Sequence, residues 1–260
     1  MLTRIYILVA TIVAFAGNGY AESLTEKADS AYMADDFQTA LELYQETART
    51  EGTSAELWYN IGNTEYRLGH IGKAIIAYNR SLRLDPGNPD TRANLDFVSS
   101  KTIDKPSEKG SFLSNTTDSV ATTTGADTWA WLAFGMFVLM LGSIALYVFS
   151  TSVLMRKTGF FSAIGFAIAT VGLVVIALRA SSIATSKTEA IVTAKSTILS
   201  TSPREPKDRT EEAMLLHEGT NVSIVDSVGV HNDTTGLKWY DVKIDNTHRA
   251  WIKSSDIEKI

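Results

Sequence analysis

No cysteine occurs among the 260 residues, and that absence removes several chemistries at once. Thiol nucleophiles, iron–sulfur clusters, Cys-ligated zinc, disulfides and a lipid-modified N-terminal cysteine are all excluded. An excess of positive charge is lacking too, since 24 Lys and Arg stand against 29 Asp and Glu for a formal net charge of −5. Phosphate backbones are bound by clustered Lys and Arg, so nucleic acid is not an expected partner. There is no P-loop, no Gly-x-Ser-x-Gly elbow and no dinucleotide fingerprint. By spacing, His70, His217, His231 and His248 form no metal-ligand motif with Cys, Asp or Glu. Asp35-Asp36 and Glu211-Glu212 are neighbours in sequence and read as solvated surface. The expectation is a protein that is not an enzyme and holds no cofactor or metal.

The charge and hydropathy that are present fall into unlike segments. Met1 to Ala21 carries Arg4, an apolar run from Ile5 to Ala16 and a small-residue ending. That is the layout of a secretory signal peptide over 1–21, because the run is shorter than a spanning helix requires. Residues 22–100 form the acidic part, with 7 basic and 13 acidic side chains. Two uncharged apolar runs follow, 129–149 and 160–178. Each has the length needed to cross a hydrocarbon core of about 30 Å, and Trp129, Trp131 and Tyr147 stand near the ends, where amphipathic rings favour the interface. They predict two transmembrane helices joined by a loop over 150–159. Arg156 and Lys157 place that loop on the cytoplasmic side by the positive-inside rule. Both soluble parts then lie in the periplasm of an inner-membrane protein. Residues 101–128 are polar, without apolar periodicity, and read as a flexible linker.

Ala55 to Asn88 reads AELWYNIGNTEYRLGHIGKAIIAYNRSLRLDPGN. It resembles the tetratricopeptide repeat at Trp58, Ile61, Gly62, Tyr66, Ala74, Tyr78, Ser81 and Pro86. Thirty-four residues earlier, Leu24, Ala28, Ala40 and Tyr44 hold small or aromatic residues at matching places. The reading is an α-helical repeat domain over 22–100, with repeats 21–54 and 55–88 and a capping helix 89–100. Its five helices are expected near 25–33, 38–50, 55–68, 72–84 and 89–100. The resemblance implies a concave groove that binds a protein partner, lined by Tyr59, Asn60, Asn63, Tyr66 and Arg67 with Asp29 and Met33. Packing between repeats is the competing role for Tyr66. Some relatives clamp a C-terminal carboxylate with Lys and Arg, but those positions hold Thr25, Asp29, Asp90 and Asn94 here, so that clamp is absent.

From residue 187 to 260 short alternating apolar runs are punctuated by Gly219, Gly229, Asn232 and Gly236, which predicts a small all-β barrel. LHEGTNVSIVDSV, KWYDVKI and RAWIKSSDIEKI resemble the bacterial SH3 (SH3b) family, with Ala250 where the family usually has Gly. Residues 200–213 would be its long exposed loop. Trp239, Tyr240 and Trp251 are the aromatic candidates for a ligand face, although a domain this small needs its large apolar side chains in the core. Asp118-Ser119-Val120 resembles the O-glycosylation site of secreted Bacteroidetes proteins, making Ser119 a candidate. The whole order of parts resembles the BatE-type proteins of the Bat aerotolerance operon. That resemblance implies a non-enzymatic scaffold, active in oxidative-stress tolerance, whose partners are von Willebrand A-type membrane proteins and, indirectly, a MoxR-type ATPase. The alternative is an envelope sensor or anchor that binds peptidoglycan through the SH3b domain.

Overall fold

In the computed structural model, residues 23–104, 112–186, 188–229 and 237–260 are described. The signal peptide expected over 1–21 lies outside them, as do His231, Asn232 and Gly236. The chain divides into two compact units, one ending at Thr53 and the other beginning at Ser54.

The first unit holds helices α1 (Leu24–Met33) and α2 (Phe37–Thr50). Ser23 and Glu26 form a reciprocal capping box at the start of α1, and Asp36 accepts from the Thr39 N–H at the start of α2. Each pairing satisfies an amide that the first helical turn leaves without an intrahelical acceptor. Between the helices Asp35 adopts the left-handed conformation, φ 58°. Ala28 and Ala40 are fully buried, and the Tyr44 hydroxyl donates to Asp29 at 2.5 Å.

The second unit begins with α3 (Ala55–Arg67), α4 (Ile71–Leu84) and α5 (Pro89–Ser99). Ser54 caps α3 and Asn88 caps α5, with Pro89 in the first turn where its missing N–H costs nothing. All five helix positions agree with the expected spans to within two residues. Beyond Asp104 the chain departs from the expected flexible linker, because Phe112–Ala121 is a helix, α6. The Asp118 carboxylate grips Arg179 through both oxygens, at 2.5 and 2.8 Å, and Arg92 donates to the Thr122 carbonyl. The segment folds because its neighbours supply the partners that its own sequence lacks.

Helices α7 (Ala126–Phe149) and α8 (Val153–Thr185) are long and apolar enough to cross a membrane. At 1.5 Å per residue they measure about 36 and 50 Å. Only Ser150, Thr151 and Ser152 separate them, so the loop is shorter than the expected 150–159, and Arg156 and Lys157 belong to the start of α8. Glycine permits the close crossing. A β-carbon on Gly159 would stand 2.7 Å from the Tyr147 nitrogen and 2.8 Å from the Ser143 carbonyl oxygen. Ser162 donates to Ser143 at 3.2 Å beside it.

Seven antiparallel strands follow: β1 (Glu189–Val192), β2 (Ser196–Ser200), β3 (Glu212–His217), β4 (Asn221–Gly229), β5 (Lys238–Lys243), β6 (Arg249–Lys253) and β7 (Ile257–Lys259). They form one sheet in the order β3-β2-β6-β5-β4-β1-β7. The end strands β3 and β7 do not pair, so this is not the closed barrel expected. It nevertheless curls around one core, since Leu216 of β3 and Ile257 of β7 join Val192, Leu199, Val222, Val242 and Ile252 in a single buried cluster. Two bulges assist the bending. Register shifts between Leu199 and Ser200 and between Ile224 and Asp226 leave Ala213 and Val225 as the extra residues. Residues 201–211 connect β2 to β3, where a long loop was expected.

Candidate functional site

The surface to be tested lies on α3, whose packing against α4 is set by one missing side chain. A β-carbon on Gly62 would meet the Tyr78 ring at 2.7 Å, so only glycine lets the helices approach this closely. Tyr78 is 1% exposed, and its hydroxyl donates to Asn63 Oδ1 at 2.7 Å. The same oxygen accepts from Asn94 Nδ2 of α5 at 2.9 Å, and Asn94 reaches the Tyr59 hydroxyl at 3.3 Å. A buried polar group costs least when fully bonded, and this network joins all three helices. Ser81 Oγ donates to the Ala55 carbonyl at 2.6 Å, holding the far end of α4 to the start of α3.

The expected groove residues therefore divide. Asn63 is engaged inside the fold. Tyr59 and Tyr66 are half-buried against the cluster of Ala74, Ile75, Ile76, Tyr78, Val98 and Ile191. Tyr66 also meets Phe97 edge to face at 5.7 Å. Asn60 is half-buried, and its backbone carbonyl accepts from Thr64 Oγ1 at 2.7 Å. Arg67 is exposed on the last turn. In the first unit Asp29 is bonded to Tyr44, while Met33 is 84% exposed. Asn94 was expected only as the occupant of a clamp position that lacks its Lys or Arg, and its bond to Asn63, 31 residues away in sequence, is one that local spacing does not reveal.

On the sheet the aromatic candidates also separate. Trp239 is 3% exposed, with Lys253 Nζ 5.9 Å from its ring centroid. Tyr240 packs on the sheet core and carries Lys259 over its ring at 4.8 Å. Trp251 is half-buried opposite Asp241 on β5. Ser119 is exposed, but on helix α6 and not on a flexible linker.

The sheet is fastened to the repeat by contacts that no local pattern announces. Ile191 of β1 lies in the α4–α5 cluster, with Ile260 against it. Arg83 donates to the carbonyl oxygens of Ile260 at 2.8 Å and Ser186 at 2.7 Å, and Gly72 N–H donates to Glu218 at 2.8 Å. Just beyond α5, Asp104 accepts from the His217 N–H at 2.7 Å and from Thr220 Oγ1 at 2.6 Å, with His217 Nδ1 at 3.0 Å. Burial opposes ionisation of Asp104, but these hydrogen bonds outweigh it and hold the carboxyl below its ordinary range. His70 and His248 likewise each face one carboxylate, Glu65 and Asp245, both at 2.6 Å. No group of three or more metal-ligating side chains occurs among the described residues.

Residues 55–88, which make up α3 and α4 with their connecting turn, match the family model described as tetratricopeptide repeat. This part of the chain is a tetratricopeptide repeat. Repeats of this family point to protein partners in general. The SGT1 homolog of Oryza sativa subsp. japonica is 33% identical over 66 residues, which cover 25% of this chain and 18% of that protein. The chain accordingly spans less than a fifth of the length of that relative.

Proposed function

We propose that this chain is a non-enzymatic, membrane-anchored adaptor whose tetratricopeptide repeats recruit a partner protein. The observation that carries the reading is a tetratricopeptide repeat at 55–88 in the same chain as two helices of membrane-crossing length. Because the helices come as a pair, both soluble parts stand on one side of the membrane, and Arg156 and Lys157 near the turn favour the periplasm for them. Asn60 and Arg67 are the α3 side chains offered to the partner, beside the half-buried Tyr59 and Tyr66. The acidic charge of residues 22–100 favours a partner that is basic near the contact, acting mainly on association rate. The order of parts supports membership of a Bat-type complex, with von Willebrand A-type membrane proteins as direct partners and a MoxR-type ATPase behind them. The SH3b resemblance offers peptidoglycan as a second target, but burial of Trp239 removes one of the three rings such a site would use.

The test is recovery of co-purifying membrane proteins by the full-length tagged chain, compared with the Asn60→Ala/Arg67→Ala double variant. The adaptor reading expects reduced recovery at equal membrane abundance. Unchanged recovery would move binding away from α3.

A further inference from the structure

A cleft of about 710 Å³ lies where the open sheet meets α4, α5 and residues 102–104. Three consecutive residues of β3, Met214, Leu215 and Leu216, border it. Side chains alternate between the faces of a strand, so a space that touches all three runs along the strand's edge. That edge is the end of the sheet, since among the described residues β3 pairs only with β2. The direction of its backbone groups follows from one hydrogen bond. His217 donates its N–H away from β2, to Asp104, and the alternation of an antiparallel ladder turns the N–H and C=O of Leu215 the same way. The free run is short. Asp104 occupies one end of it and the bulge at Ala213 ends the other, so an added strand has one register.

An edge of this kind is normally guarded by Lys or Pro, yet β3 reads Glu-Ala-Met-Leu-Leu-His, and Leu215 is 50% exposed beside Ile198 at 47%. The charges around the cleft have a single sign. Asp96, Asp104, Glu189 and Asp245 border it, and no Lys, Arg or His does so among the described residues. Asp104 and Asp245 each have a histidine partner, whereas Asp96 and Glu189 have no ion pair among the described residues.

We propose that the open edge of β3 docks an extended, basic segment of a partner protein, which pairs with the Leu215 backbone and sets Lys or Arg side chains against the cleft carboxylates. Main-chain pairing supplies the register and the apolar and acidic walls supply selectivity, as in other strand-addition complexes. The site is separate from the α3 surface and stands or falls independently of it.

The probe is a capped octapeptide of alternating Val and Lys, added to the full-length chain in detergent, with an alternating Val and Glu octapeptide as its control. Anisotropy should show the Lys peptide binding at least tenfold more tightly, and binding should fall about tenfold in Asp96→Asn/Glu189→Gln. Hydrogen exchange should show new protection at the Leu215 amide when the Lys peptide is bound. Leu215→Pro, which removes the outward N–H together with the leucine side chain, should abolish binding of the Lys peptide. Charge-dependent binding without protection at Leu215 overturns the proposal, as does protection that the Glu peptide produces equally. A dimer of the chain that Leu215→Pro dissolves would assign the edge to a second copy and overturn the basic partner.

Discussion

The helix pairs α1–α2 and α3–α4 place the same devices 34 residues apart and build them from different residues. Tyr44 donates to Asp29 in the first, and Tyr78 donates to Asn63 in the second. The left-handed turn is made by Asp35, φ 58°, in one and Gly69, φ 83°, in the other. Ala28 stands where the second repeat has Gly62. The next helix begins behind a true side-chain cap at Asp36, whereas His70 makes no cap bond and instead faces Glu65. Equivalent geometry therefore tolerates different chemistry where the residue is exposed, and becomes strict where the Tyr78 ring lies against a helix backbone.

Substitutions that exchange the two solutions test this contrast. The largest effect is expected from Gly62→Leu, which drives a side chain into the Tyr78 ring that Asn63 holds in place. Overpacking of this sort costs about 1–3 kcal/mol or more. Hydrogen exchange of the full-length chain should show lost protection in α3 and α4, while α1 and α2 keep theirs; equal loss in both units would contradict the separate packing.

Gly69→Ala comes next. A non-glycine residue in the left-handed region costs about 1–2 kcal/mol, so the α3–α4 turn should open more readily. The reciprocal Asp35→Gly should be neutral or slightly stabilising, because Asp tolerates that region better than most residues do. A thermal melt in which Gly69→Ala stabilises the chain, or Asp35→Gly destabilises it, would break the equivalence of the turns.

A smaller loss is expected for Tyr78→Phe, about 1 kcal/mol, since Asn63 keeps its bond from Asn94. Tyr44→Phe should cost less still, because Asp29 is exposed and water replaces the hydroxyl. If Tyr44→Phe proves the more damaging, the polar network on α3 is not what distinguishes the repeats.

Within the second unit Asp104 tethers the end of α5 to the sheet, and this tether titrates. The Asp104 carboxyl is held below its ordinary range, so its stabilisation is complete above the unfolded value of about 3.9 and fades as pH falls through the lower folded value. Wild-type protection of residues 101–104 and of the His217 amide should thus decline in acid, and Asp104→Asn should flatten that pH dependence.

Most of the helical architecture was legible in local text. Ser23, Asp36, Ser54 and Asn88 mark helix starts because a short polar side chain can accept the orphan amides, and the repeat pattern marks Gly62, Ala74 and Tyr78 as packing positions. Tyr59 and Tyr66 illustrate the limit: their sequence positions suit either a groove or a core, and the packing of α5 makes them mostly core.

The sequence by itself determined the five helices of residues 24–99, the tetratricopeptide repeat at 55–88 and the presence of two apolar helices, since caps and apolar periodicity are local and the repeat is marked by residue types at fixed spacing. Tertiary structure alone decided that 112–121 folds, that the sheet stays open at β3, and that Asp104 meets His217 across 113 residues. Those outcomes depend on which surfaces the fold brings together, and a polar segment without apolar periodicity carries no local sign of the partner that will hold it.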